Sequence, residues 1–253
     1  MLEWTVTEQL LSAWRTEHER PVHGWDFSEL ADRMESSDPP WSYPALARAA
    51  LHGATSALDM GTGGGEVLIA LSSALPEDTV ATEGWPPNLT VAGDNLSAHG
   101  IQVVAYDAEK DIAMPFQDGR FDVVLNRHEA YDAAEVRRVL SHDGRFLTQQ
   151  VDGRDFAETQ AIFGGTSAHP HITLAHLRGE AESVGLVIEA AEEWTGKTRF
   201  ADVAALVRYV AFVPWEVPRD FTVDRYATQL VDLHRSGRDL TFTRRRFYLR
   251  CRR

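Results

Sequence analysis

The sequence holds one cysteine, Cys251, so an internal disulfide is excluded, which fits a reducing compartment. Long apolar runs are also missing. No stretch reaches the roughly 18 residues that a membrane-spanning helix needs. The opening segment, MLEWTVTEQLLSAWRTEHERP, lacks a basic stretch followed by an apolar one. No signal peptide is therefore read, and a cytoplasmic location is the expectation. Internal repeats and low-complexity tracts are absent. Positive charge is scarce: 25 Lys and Arg stand against 38 Asp and Glu, a net charge of −13. Most of such a surface repels a polyanion, which disfavours nucleic acid as a partner.

What remains is a chain of 253 residues, 43% of them hydrophobic, long enough for one α/β unit with an appendage. The first fifty residues read as a helical cap (1–50) carrying Trp4, Trp14, Trp25 and Trp41. A helix is expected near 6–18, with Leu10, Leu11 and Trp14 on one face. A second, DFSELADRM, would start at Asp26 as N-cap with Glu29 in the capping-box position. DPPW breaks the chain at 38–41 before a short helix, YPALARAAL.

From residue 56 onward strands and helices alternate: ALDM, then EVLIALSSAL, DTVATEG, NLTVAGDNLSAHG, IQVVAYD, FDVVLNRH, DAAEVRRVL and GRFLTQQV. Alternation of this kind predicts an α/β fold, a doubly wound, mostly parallel sheet of seven strands covered on both faces, over residues 51–253. The helix TLAHLRGEAESVG and the strand LVIEAAEEW follow. Two further helices, DVAALVRYVAFVPW and VDRYATQLVDLHRSG, read as an insertion at about 203–238 before the last strand. In that strand, TFTRRRFYLRCRR, Phe247, Leu249 and Cys251 alternate with Arg246, Tyr248, Arg250 and Arg252, the pattern of a half-exposed strand. Its six arginines are read as a solvated face, with an RNA-binding strip as the rival reading.

Between the first strand and its helix lies Asp59-Met60-Gly61-Thr62-Gly63-Gly64-Gly65. Glycines there let the backbone approach a ligand, and the helix start offers unpaired amides. Open α/β sheets bind their ligands at this edge. The spacing narrows the ligand. A G-x-G-x-x-G register begun at Gly61 ends on Glu66, and one begun at Gly63 ends on Leu68, so a nicotinamide dinucleotide is disfavoured. No G-x-x-x-x-G-K-[ST] is present either.

The D-x-G-x-G-x-G turn resembles motif I of the class I methyltransferases that use S-adenosylmethionine, and the resemblance extends over most of the chain. MPFQDGRFDVVLNRHE and RRVLSHDGRFLTQQV are similar to the subgroup that includes ubiquinone and menaquinone biosynthesis methyltransferases. The subgroup's Leu-Lys-Pro-Gly-Gly turn is replaced by Leu140-Ser141-His142-Asp143-Gly144. LDMGTGGGE, NRHE and TQQV also resemble a set of uncharacterised bacterial methyltransferases.

The resemblance implies S-adenosylmethionine as cofactor, held by Asp59, Met60, Gly61, Thr62, Gly63 and Gly65. It further implies Glu83 for the ribose hydroxyls, and Asp107 with the Ala108 amide for the adenine. A carboxylate can accept from two neighbouring hydroxyls at once, which suits Glu83 to that role. Asn126, Arg127, His128 and Glu129 follow the fourth strand, beside the place of the transferable methyl. His128 is the candidate general base and Glu129 the competing one, against the plainer reading that the segment only orders its loop and bonds the cofactor. Gln149 and Gln150 could touch the acceptor. His169, His171 and His176 have no cysteine or third carboxylate beside them and read as a helix-entry loop, so no metal is expected.

The sequence thus predicts methyl transfer to a small-molecule acceptor held in line with the cofactor, with cap and insertion closing over the site. An RNA or protein methyltransferase and a non-catalytic S-adenosylmethionine-binding protein are the alternatives.

Overall fold

The computed structural model describes residues 2–22, 27–110 and 113–253, and for 2–6 the backbone alone. Trp25, Asp26 and the Trp4 side chain lie outside the described residues. In chain order the elements are α1 (Leu2–Glu19), β1 (Met34–Ser36), α2 (Tyr43–Leu51), β2 (Ser56–Met60), α3 (Glu66–Ala70), β3 (Asp78–Glu83), α4 (Pro86–Ser97), β4 (Gln102–Ala105), β5 (Phe121–Arg127), α5 (Ala133–Val139), β6 (Leu140–Val151), α6 (Ala157–Phe163), α7 (Leu174–Ser183), β7 (Val187–Phe200), α8 (Val203–Phe212), α9 (Ala227–Arg235) and β8 (Leu240–Arg252). Hydrogen bonding orders the strands β1-β7-β8-β6-β5-β2-β3-β4. Eight strands stand where seven were expected; the additional one is β1.

Two compact units divide the chain. One comprises residues 40–152, 172–194 and 246–253 and contains the parallel strands β2 to β6. Its central strands β2 and β5 send apolar side chains to both sides. From β2 and β5, Leu58, Met60, Phe121 and Val124 enter one core, while Ala57, Val123 and Leu125 enter the core on the opposite face. Over Ala57–Met60 and Val123–Leu125 the period-2 alternation therefore divides two buried faces, as a helix-covered parallel sheet requires, while the register shift between Phe121 and Val123 takes Phe121 out of that phase. β8 runs antiparallel to β6. Its alternation was read as half-exposed, yet Tyr248 is 5% and Arg246 9% exposed, because Tyr248 packs into the second of those cores.

Two local expectations change. EVLIALSSAL forms only the five-residue α3 before a 3-10 turn at Ser72–Ala74. The segment 140–144, read as a turn, lies inside β6. There the register steps from Phe121↔Leu140 to Val123↔Arg145, and Asp143 takes φ 64°. That is a bulge, which bends a strand without ending it.

The other unit comprises residues 1–39, 153–171 and 195–245. Phe156 stacks on Tyr209 at 4.9 Å and on Phe242 at 5.3 Å, in a core with Trp14, Leu30, Phe163 and Phe200. Arg208 on α8, 2% exposed, ion-pairs with Glu29 and donates to the carbonyls of Arg20 and Pro21 at 2.6 and 3.0 Å. DFSELADRM is not one helix. It gives a 3-10 turn at Ser28–Leu30 and then β1, which pairs antiparallel with Thr198–Phe200 of β7. Glu29, expected to close a capping box, is drawn to Arg208 and Arg20. Tertiary pairing overrides local propensity at this point.

Candidate functional site

Strands β2, β3 and β4 spread to one side of β2, and the chain then returns to lay β5 and β6 on the other. The strand order reverses between β2 and β5. Because β2 to β6 are parallel, their carboxyl ends share one edge, and the reversal opens a crevice there. The glycine-rich loop leaves β2 at this point and the Asn126–Glu129 segment leaves β5, with Met60 paired opposite Asn126.

Gly61 and Gly63 have φ of 64° and 63°. A Cβ on Gly61 would stand 2.3 Å from Glu129 Cγ, so Gly61 is what lets the Glu129 side chain lie against the loop. A Cβ on Gly63 would meet nothing within 4 Å, so the loop faces open space there. The loop is tied down by Thr62 N–H donating to the Thr82 carbonyl at 2.9 Å. Met60 is buried in the core, which leaves only its backbone available to a ligand. Gly65 forms the α3 N-cap.

Glu83, last in β3 and 4% exposed, accepts from Gly63 N–H at 2.7 Å through Oε2 and from Trp85 N–H at 2.8 Å through Oε1. One carboxylate thus fixes the loop of the neighbouring strand, and each oxygen keeps a further lone pair for a ligand hydroxyl. Asp107 pairs with Lys110 and accepts from Glu109 N–H at 3.0 Å, and these bonds hold its carboxyl below the usual range. Ala108 lies next to it, half-buried. Gly84 allows β3 to end against this turn: a Cβ there would fall 2.9 Å from Asp107 Cα.

Asp59 is 8% exposed, and burial, reinforced by the charge of Glu83, pushes its carboxyl up to about 7. The Arg127 charge opposes that rise. Burial and then Glu83 raise the Glu129 carboxyl to about 7 as well. Two carboxyls close to neutrality flank the same loop, an arrangement that occurs where charge is to be received or protons moved.

Asn126 is fully buried. Its Oδ1 accepts from Thr148 Oγ1 at 2.8 Å and Gln150 Nε2 at 2.7 Å, while its Nδ2 has no partner. A buried donor without an acceptor is costly, and a ligand oxygen would satisfy it. Gln150 also donates to the Glu129 carbonyl at 2.9 Å, so it orders the β5 loop. His128, with φ 62°, donates its N–H to the Gln149 carbonyl at 2.8 Å, and its Nε2 lies 3.1 Å from Gln149 Nε2. Gln149 Oε1 accepts from Trp41 Nε1 at 2.8 Å, and Tyr43 donates to the Asn126 carbonyl at 3.3 Å.

Sequence reasoning missed Tyr43 and Gly84 as parts of this edge. It treated Trp41 as one of four cap tryptophans, whereas Trp41 bonds Gln149 and Trp14 packs in the other unit's core. Trp85, 50% exposed beside Glu83, was also passed over. A glycine after an acidic strand end was the one signal that could have found Gly84. Among the described residues no three His, Cys, Asp or Glu side chains gather as a metal site.

Open space at Gly63, remaining acceptor capacity on Glu83 and the unpartnered Asn126 Nδ2 together fit a ligand that carries hydroxyl donors and an oxygen acceptor. Residues 58–148, from β2 into β6, match the family described as a methyltransferase domain. The uncharacterised methyltransferase YcgJ of Bacillus subtilis is 30% identical over 97 residues, spanning 36% of this chain and 38% of YcgJ. That match therefore covers well under half of its relative. The solved YcgJ structure superposes with TM-score 0.59 at 17% identity, over 83% of this chain and 97% of YcgJ. An S-adenosylmethionine-dependent methyltransferase from Mesorhizobium loti gives TM-score 0.50 at 16% identity, over 83% and 97% of the two chains. The [4+2]-cyclase SpnF gives 0.51 at 15%, over 98% and 95%. Likeness at such identities establishes a shared fold and leaves the reaction to the site.

Proposed function

We propose that the chain carries a class I methyltransferase domain, whose family cofactor is S-adenosylmethionine, and that it transfers a methyl group to a small-molecule acceptor. The observation that carries the reading is the Glu83–Gly63 bond at the strand-order reversal, which joins the ribose-type carboxylate to the glycine loop in one cradle. When bound, the cofactor supplies an electrophilic methyl on a sulfonium.

The chain's own residues have three tasks. Asp59 and the Gly61–Gly65 loop receive the methionyl part. Glu83 and the Asp107–Ala108 turn receive the nucleoside. Asn126, His128 and Glu129 face the transfer side, with Glu129 and His128 as the acid–base candidates for an acceptor that carries a proton. Holding the acceptor in line supplies much of the rate, because the bound encounter replaces a bimolecular one. A chain with net charge −13 favours a small acceptor over RNA.

Calorimetric titration with S-adenosylmethionine tests the cradle. Glu83→Ala removes a charged acceptor, so binding should weaken by about 100-fold, at roughly 1.5–3 kcal/mol for each such hydrogen bond. Glu83→Gln, which keeps one oxygen, should fall between Ala and the parent. No binding by the parent, or unchanged binding in a folded Glu83→Ala protein, would overturn the reading. Turnover of labelled cofactor in cell extract then separates an enzyme from a protein that only binds.

A further inference from the structure

The β5 and β6 ends contain a chain of three side chains whose hydrogen-bond polarity is determined at one end. Trp41 Nε1 is a donor only, so the Gln149 atom 2.8 Å away must be the amide oxygen. The Gln149 nitrogen is thereby turned to His128 Nε2 at 3.1 Å. An amide nitrogen donates only, so the ring nitrogen facing it must accept. A proton on Nε2 would put two donors face to face. Gln149 is 7% exposed and its carbonyl also holds the His128 amide at 2.8 Å, so the fixed amide sets the polarity at Nε2 although the His128 side chain itself is exposed.

We propose that Trp41 and Gln149 are positioning residues that hold His128 as the neutral tautomer protonated on Nδ1, with Nε2 engaged by the amide, so that His128 is not the base of the site. The inference rests on the methyltransferase reading for its catalytic meaning, although the tautomer itself does not. With the Nε2 lone pair engaged by the amide, the proton of an acceptor heteroatom passes to a Glu129 oxygen instead. The carboxylate becomes a carboxyl, and the acceptor keeps the electron pair with which it attacks. Glu129 lies against Gly61, next to the cofactor loop, and is half-buried.

Long-range nitrogen–proton NMR of the full-length protein with labelled imidazole rings tests this directly. His128→Asn identifies the His128 signals among ten histidines. The expected pattern at pH 7.5 (about one unit above a free histidine) is a protonated Nδ1 and a bare Nε2. Gln149→Glu is nearly isosteric and places an acceptor opposite Nε2, so the proton should move to Nε2. Trp41→Phe releases the amide and should give a mixture of both tautomers. Should the parent carry its proton on Nε2, or should Gln149→Glu leave the tautomer unchanged, the proposal is overturned. If neither substituted protein folds, the parent spectrum still decides. Titration with S-adenosylmethionine alongside keeps the two readings apart: absence of binding defeats the proposed function and leaves the tautomer result standing.

Discussion

Asp59 has two consequences that can be measured separately. Its carboxyl is held at about 7 by burial, far above its free value of 3.8. In the unfolded chain the group ionises from about pH 4, while the folded protein keeps its proton until about 7. Between those values the folded state binds more protons, so its stability falls as pH rises through that window. At about 1.4 kcal/mol per unit, the loss approaches about 4 kcal/mol by pH 8. Asp59→Asn removes the ionisable group, so its melting temperature should exceed that of the parent at pH 8 and match it near pH 4. A lower melting temperature at pH 8 would show that the carboxylate is stabilised in place. The second consequence concerns binding. A cationic ligand favours the ionised forms of both Asp59 and Glu129, each near about 7, so S-adenosylmethionine should bind with proton release. Titrations at pH 7 in two buffers of different ionisation enthalpy should give different heats, and the difference should shrink in Asp59→Asn and in Glu129→Gln. Equal heats in the parent would mean that neither carboxyl responds to the ligand.

Elements were legible in the sequence where one periodicity dominated. The glycine turn, the acidic end of β3, the β5 loop and the helices α8 and α9 all follow from spacing and turn chemistry. Legibility failed where partners distant in sequence decide the outcome. β1 exists because Met34–Ser36 pairs with residues about 160 positions later. Tyr248 is buried because a second core covers a face that alternation had assigned to solvent. Trp41 entered the site through Gln149, a bond that no local pattern announces. Arg208 is the clearest case of this kind: within an apolar helix, α8, it bonds Glu29 and the carbonyls at the end of α1. Arg208→Ala leaves Glu29 to Arg20 alone and takes the donor from the Glu17, Arg20 and Pro21 carbonyls, which should cost about 3 kcal/mol at roughly 1–3 kcal/mol for each buried group left unsatisfied. Thermal unfolding should drop by roughly 10 °C in a protein of this size. A change within about 2 °C would mean that water replaces the guanidinium at no cost.

Over the whole chain, the distribution of charge is what favours the proposed small acceptor over a polyanionic one. The net −13 disfavours RNA, but the arginines of β8 could in principle form a local strip against that background. The structure gives them other work. Arg250 and Arg252 both reach Glu189, at 3.2 and 3.9 Å. Arg253 donates to the Leu140 carbonyl, and its own N–H bonds Gly144 at 2.9 Å, which anchors the β6 bulge. Arg244 donates to the Ser37 carbonyl at 2.7 Å, and Arg245 to Thr195 Oγ1 at 3.0 Å. Binding a phosphate backbone would require these contacts to be exchanged, against the repulsion of the acidic remainder. Phosphate contacts reveal themselves through counterion release, with an affinity that falls steeply as salt rises. Filter binding of single-stranded RNA should therefore give no saturable retention even at low salt, and Arg250→Glu combined with Arg252→Glu should change nothing in that assay. Saturable binding with a slope of several in log affinity against log salt, abolished by that pair of substitutions, would move the proposed acceptor from small molecule to RNA while leaving the proposed cofactor cradle at Gly63 and Glu83 as it stands.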